Sequence, residues 1–333
     1  VEAKVNQSGT LKGHQKAVRG IVITRDGKKA VSGSQDNNII LWNLEKQEAA
    51  RTLEGHKDYV HAVCLTDDER FAISGSRDKT IVMWDLEKGT QVKVFEGHTD
   101  AVHSLSLSSD NSRIISGSGD GTIKLWDVST GEEIRTFKGN LAWVWALSFS
   151  PDGKLALSGS WGKRLTLWDV ETGEAVRKFE GHTDDVRAVC FINDGKQALS
   201  AGDDKRIILW DVETGELIRK FEGHKDRVRA LAASTSGRFF ISGSYDKTLK
   251  LWNIQNGECV YTSPEALGYV RSVALSRDDS MAATGFEDGS LATWQLEVVV
   301  PPSESTAGDE SKTGEEVPPA GEARPEADSA EEG

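Results

Sequence analysis

Several features that mark common function classes are scarce or missing in this chain. Its 333 residues hold three cysteines, Cys64, Cys190 and Cys259. The number is odd, the spacing is wide and the contexts are apolar and strand-like, which argues against a disulfide scaffold and for reduced, buried thiols. No apolar run reaches the roughly 18 residues that a membrane-spanning helix requires, and no secretory signal is visible. The expectation is a cytoplasmic protein with no membrane partner. A basic surplus is also lacking: the formal net charge is −13, the wrong sign for holding nucleic acid by phosphate neutralisation. There is no Walker loop, no Cys-x-x-Cys and no histidine pair at metal-ligating spacing on one element, so neither cofactor nor metal is expected.

The acidity is concentrated at one end. Between Pro301 and Gly333 lie ten Asp/Glu against Lys312 and Arg324, which leaves residues 1–300 close to balance. That segment has one valine and no aromatic residue, too little apolar surface to offset the entropy of ordering. It reads as a disordered acidic tail over 299–333, behind a folded domain over 1–298.

What the sequence does have is tryptophan at a fixed interval. Trp42, Trp84, Trp126, Trp168, Trp210, Trp252 and Trp294 follow one another in steps of 42 residues. Each closes an apolar run such as "IVMW" or "IKLW", with "SGS" or a near variant and then an Asp upstream. Gly-His precedes five of them, at His14, His56, His98, His182 and His224. Within one period, "AVHSLSLS", "SRIISGS", "TIKLWDV" and "EIRTFKG" read as four short strands separated by turn signals. Their third strand is apolar on both faces, so each four-stranded sheet needs cover on both sides, which a ring of seven sheets supplies.

Gly-His, a Ser four before an Asp, and Trp-Asp or Trp-Asn at this period resemble WD40 repeats, in register over about residues 8–297. The resemblance implies an all-β fold: a seven-bladed WD40 β-propeller with four-stranded antiparallel blades. "GTLKGH" at 9–14 matches the outer-strand ending "RTLEGH" at 51–56, so a segment near 3–12 is expected to supply the outer strand of the last blade. Each full repeat also holds His, Ser and Asp, as in His56, Ser74, Asp78 beside Trp84, and His98, Ser116, Asp120 beside Trp126. These types could make a nucleophilic triad, but five copies in one ring point to the scaffold. In the resembling family they form a buried hydrogen-bond chain from indole to serine to histidine to aspartate. "GSGDG" at 117–121 looks like a phosphate loop only in isolation, because it recurs as "GSRDK" and "GSYDK".

Function is then sought where repeats differ at exposed loop positions. In the resembling family three positions per blade face partners: those either side of a valine in the innermost strand, and the residue before the turn Asp. Before the valine come Ala17, Tyr59, Ala101, Trp143, Asp185, Arg227 and Tyr269. After it come Arg19, His61, His103, Trp145, Arg187, Arg229 and Arg271. The turn holds Gln35, Arg77, Gly119, Trp161, Asp203, Tyr245 and Glu287. All three tryptophans outside the 42-residue series fall in these slots, and all in repeat 4, where Asn140 and Gly162 replace the expected His and Asp. Repeat 7 has Glu265-Ala266 in the Gly-His register and keeps Asp288.

The expected function is a non-catalytic scaffold whose narrow face binds a protein or peptide. An apolar or aromatic anchor would sit on Trp143, Trp145 and Trp161. Acidic or phosphorylated groups would face Arg187, Arg229 and Arg271, with Arg77, Arg227, His61, His103, Tyr245 and Tyr269 around them. Near-identical repeats with "ETGE" hairpins also resemble bacterial propellers appended to kinases or nucleotide-binding switch ATPases. The alternative is therefore a regulatory or sensor domain of a larger signalling protein. The chain would act as a monomer or as a domain of a longer one.

Overall fold

Apolar side chains on both faces of a strand leave no blade stable alone, and the chain answers by closing a ring. The structure, a computed structural model, describes residues 2–137, 139, 142–264 and 268–299. It contains seven four-stranded antiparallel sheets taken in sequence order. The second blade runs from Val60–Leu65, innermost, through Phe71–Ser76 and Ile81–Asp85 to Thr90–Phe95, outermost. The seventh is built from both ends of the domain. Val270–Leu275, Met281–Phe286 and Leu291–Val299 take Glu2–Leu11 as their outer strand, with Glu2 opposite Val299 and Leu11 opposite Leu291. The expected closing strand is present. Asn140, Glu265, Ala266 and the acidic segment from Pro301 onward lie outside the described residues.

Two contacts repeat around the ring. The seven tryptophans at the 42-residue step are at most 1% exposed, each worth on the order of 4–6 kcal/mol of apolar burial. Next to them, in six of the seven blades, the glycine of "SGS" or its variant receives the valine of the following blade's innermost strand, and in blade 5 Ala201 takes its place. A Cβ added at Gly33, Gly75, Gly117 or Gly159 would lie 2.5–2.7 Å from Cγ1 of Val60, Val102, Val144 or Val186. Gly285 of blade 7 meets Val18 of blade 1 in the same way, at 2.6 Å. The last joint therefore has the geometry of the others.

The His-Ser-Asp sets are structural. Trp84 Nε1 donates to Ser74 Oγ at 2.8 Å, His56 Nε2 lies 2.7 Å from the same oxygen, and His56 Nδ1 lies 2.8 Å from Asp78 Oδ2. Since the serine accepts from the indole, its own proton goes to Nε2, and Nδ1–H donates to the carboxylate. The chain recurs through Ser116, His98 and Asp120 under Trp126, and in blades 1, 5 and 6. Asp78 also accepts from Lys57 N and Thr80 Oγ1. Burial would raise its pKa, but the bonds from His56 and Thr80 outweigh it and hold the carboxyl well below its ordinary value. The tetrad serines are fully buried, out of reach of a substrate. In blade 7 Asp288 is exposed and held by Ser290 N and Oγ, which removes the cost of an orphaned buried carboxylate.

A further repeated contact ties neighbouring blades at their rims. Arg51, Arg135, Arg177 and Arg219 on outer strands donate to Lys88 O, Thr172 O, Thr214 O and Asn256 O in the next blade's last turn, at 2.8–3.2 Å. Lys93 does the same to Val128 O at 3.0 Å. The turn glycines, Gly131, Gly173, Gly215 and Gly257, have φ of +73° to +84°, and an added Cβ would come within 3.0 Å of the cation's side chain. The cations repeat every 42 residues, and that spacing is their only trace in the sequence. The series ends at the joints of blade 7, where Tyr261 and Gly9 occupy the register.

One thiol departs from expectation. Cys64 and Cys190 are pushed up to about 12 by burial, whereas Cys259 is exposed at the start of a short outer strand, Cys259–Thr262.

Ser74→Ala should cost roughly 2–5 kcal/mol, because it strands both a buried indole N–H and a buried imidazole nitrogen. In blade 4 the described partner of Ser158 is Trp168 Nε1 alone, so Ser158→Ala should cost about half as much. Urea denaturation of the two variants makes the comparison; equal losses would contradict the hub role of Ser74.

Candidate functional site

The slot residues are placed by backbone geometry common to all blades. Between the innermost strand and its neighbour the register shifts once, directly after the valine: between Val60 and Ala62, Val144 and Ala146, Val186 and Ala188, and at the same point in the other four blades. The residue inside that bulge is Arg19, His61, His103, Trp145, Arg187, Arg229 or Arg271. A bulge re-aims its side chain, and here all seven turn to the axis, where together they line one cavity of about 110 Å³. The other two slots are locked to each other by a backbone bond. Trp161 N donates to Trp143 O at 2.9 Å, Tyr245 N to Arg227 O at 2.9 Å, and the other five blades repeat it at 2.8–3.1 Å.

Blade 4 presents indole to solvent. Trp143 is 46% and Trp161 56% exposed, so neither fills the interior of a degenerate blade. Their ring centroids are 5.8 Å apart, and Trp145 meets Trp143 edge-on at 5.5 Å. Trp145 is half-buried, between His103 at 4.5 Å and the Arg187 guanidinium at 4.1 Å. The aromatic arc continues from His103 to His61 and Tyr59. Arg77 is exposed, lies over Tyr59 and faces Asp58 at 3.7 Å. Across the mouth, exposed Tyr269 packs on Tyr245 at 5.3 Å. Arg229 and Arg271 both lie 4.5 Å from the Tyr245 ring centre. Arg227 is exposed on the rim and does not line the cavity.

The arginines are not equivalent. Arg187 is held by Asp203 at 2.7 Å and 2.9 Å and by Asp185 at 3.0 Å, and Arg271 is ion-paired with Glu287. The expectation that both stand open to an acidic ligand needs correcting: each already has a carboxylate, because the turn slot beside it is acidic. Arg19 meets the Gln35 amide, its oxygen turned to the guanidinium, and among the described residues no carboxylate lies within ion-pair distance of it. Arg229 shares Asp203 at 3.6 Å. Burial, then Arg271 for Arg19 and Arg187 for Arg229, lowers both guanidinium pKa values to about 10.

Asp185 also explains the missing turn aspartate of blade 4. Gly162 N donates to Asp185 Oδ1 at 3.0 Å, so a carboxylate from blade 5 braces that turn. Asp184, Asp185 and Asp203 approach one another within 4.8 Å, but the second and third are committed to Arg187 and Gly162, which leaves a poor donor set for a cation.

His61 is pushed down to about 3 by burial and then by His103 and Arg19. His103 is pushed down to about 4 by burial, with Arg19 and Arg187 adding to it against Asp100. Both rings are neutral at pH 7. Unfolded histidines take up protons near pH 6.5, these only near pH 3–4, so native stability should fall as pH drops from about 6.5 to about 4. His61→Gln and His103→Gln should each flatten that slope by up to about one proton. Urea titrations at pH 7, 5.5 and 4.5 test this, and a slope identical to that of the parent chain would refute it.

Comparison with known families agrees with the geometry. A family model described as WD domain, G-beta repeat matches residues 5–43, 47–85 and 89–127. One described as IFT122 first beta-propeller matches residues 143–298. Among curated proteins, none matches the chain. With seven closed blades, five complete tetrads and repeat matches in its first three blades, the chain belongs to the WD40-repeat family.

Proposed function

We propose that this propeller captures a peptide segment of a partner protein on the face that carries the slot residues. WD40 propellers are generally non-catalytic protein-interaction scaffolds, and the observation that carries the finer reading is the exposure of Trp143 and Trp161. Two large indoles held half in solvent by a locked backbone cost apolar hydration in the free protein and regain it on binding. The segment presents an aromatic or aliphatic anchor to that pair and an acidic or phosphorylated residue to the axial arginines. Trp145 acts beneath them as support, since it carries Arg187 on one face. Tyr245 and Tyr269 offer a second, smaller aromatic patch across the mouth. One chain suffices for this surface. We place it in the cytoplasm, where its unpaired thiols stay reduced.

Screening a library of acidic, apolar-anchored peptides by fluorescence anisotropy gives the test. Trp143→Ala and Trp161→Ala should each weaken selected peptides by about 30-fold or more, the worth of an interface hot spot. Their melting temperatures should stay within about 2 °C of the parent chain. Undiminished binding, or a large drop in melting temperature in both, would overturn the reading.

A further inference from the structure

Among the described residues, buried side-chain polar atoms without a hydrogen-bond partner fall in two places. One is the Nε of three rim arginines, Arg135, Arg177 and Arg219. The other is the axial mouth, with His61 Nε2, Trp145 Nε1, Arg229 Nε and Asp203 Oδ1. At the mouth the single acceptor, Asp203 Oδ1, lies 3.6 Å from the Arg229 guanidinium. The other three are groups that can donate, and the cavity that their side chains line also contains Arg19. Native proteins rarely leave such groups buried and unmatched.

We propose that this cavity is a site for one phosphoryl-type oxyanion, a deepening of the binding-face reading on which it rests. The number follows from charge. Of the four guanidinium groups at the mouth, Arg187 and Arg271 have carboxylates of their own, Arg229 has the Asp203 oxygen at 3.6 Å, and Arg19 has none within ion-pair distance among the described residues, while both histidines are neutral. One guanidinium, Arg19, is thus left without an ion pair, which suits one anionic group rather than a multiply phosphorylated stretch. The class follows from direction. The donors are His61, Trp145 and Arg229, with the N–H groups of Arg19 that Gln35 does not occupy; they come from blades 2, 4, 6 and 1, spread around the axis. A group with three terminal oxygens reaches several sides of such a ring, whereas the two oxygens of a planar carboxylate leave donors unmatched. Arg19 and Arg229 supply the charge-assisted bonds. Trp145 supplies Nε1–H, with its ring fixed between His103 and Arg187. His61 joins as its Nε2–H tautomer. Arg187 and Arg271, held by their own carboxylates, shape the wall.

Inorganic phosphate titrated into the full chain is the direct probe, followed in the indole region of a ¹H–¹⁵N spectrum. One cross-peak, the one absent in Trp145→Phe, should shift saturably with a one-site isotherm. Chloride at equal ionic strength should leave it in place. Arg19→Gln and Arg229→Gln should each weaken phosphate by at least about tenfold, while the remaining indole peaks report an intact fold. No saturable shift up to about 10 mM phosphate, or equal affinity in both folded variants, would overturn the site. A phosphoserine peptide with an apolar anchor separates the sources of the anion. If it binds more tightly than phosphate and loses that gain in Trp143→Ala, the phosphoryl group arrives on a partner segment. If phosphate binds and the peptide gains nothing, the anion site stands and the peptide reading falls. If phosphate gives no saturable shift and apolar-anchored peptides bind regardless of phosphorylation, the anion site falls and the peptide reading stands.

Discussion

A valine methyl seated against a glycine of the preceding blade sets the spacing on which the rest of this molecule depends. At six of the seven joints the contact leaves no room for a Cβ, from Gly33–Val60 to Gly285–Val18, and so fixes how close those sheets come; at the seventh, blade 5 places buried Ala201 in the same register. The valine is also the last paired residue before the bulge. Whatever side chain follows it is carried inward by the same packing that holds the blades together, so the composition of the axial mouth is a direct consequence of blade-to-blade contact. A looser joint would not simply weaken the ring; it would let seven converging side chains drift apart.

The tetrads act one layer out. By tying Trp, Ser, His and Asp into one buried chain, they anchor the turn after the second strand to the loop before the first. In the five blades with a full tetrad this adds to the backbone bond that pairs the two slots in all seven. Blade 4 shows what changes when part of this is absent. Its turn is braced from blade 5 through Asp185 and Gly162, and the same Asp185 holds Arg187, which stacks on Trp145. The aromatic surface of one blade therefore rests on the acid–base pairing of the next.

Much of this was legible in the sequence. The 42-residue step of Trp42 to Trp294 specified the fold, and the slot positions taken in register placed Arg19, His61, His103, Trp145, Arg187, Arg229 and Arg271 on one ring, where they line one cavity. The closing strand was legible from "GTLKGH". Pairing was not: that Arg187 and Arg271 are already neutralised depends on the distance to Asp203 and Glu287 across a turn, which periodicity does not encode. Exposure was not either, since Trp143, just before the strand Val144–Phe149, faces solvent, whereas Trp145, two residues on and inside it, supports an arginine. The bulge, which a residue count cannot reveal, makes that difference. The rim cations were visible only as a spacing, without the carbonyls that give it meaning.

Those rim contacts are unevenly distributed around the ring. Among the described residues, five joints carry a cation bridging an outer strand to the next blade's turn, and at the two that flank blade 7 Tyr261 and Gly9 stand in its register. Blade 7 is also the one assembled from two distant pieces of chain. The half of the mouth that bears Trp143, Trp161 and Arg187 thus sits between joints of the repeated kind, whereas the joints of blade 7 are closed by other bonds, from Thr235 Oγ1 to Arg277 O and Asp279 Oδ2 and from Ser272 Oγ to Val18 O. The ring is thus repetitive along its length and individual at its seam.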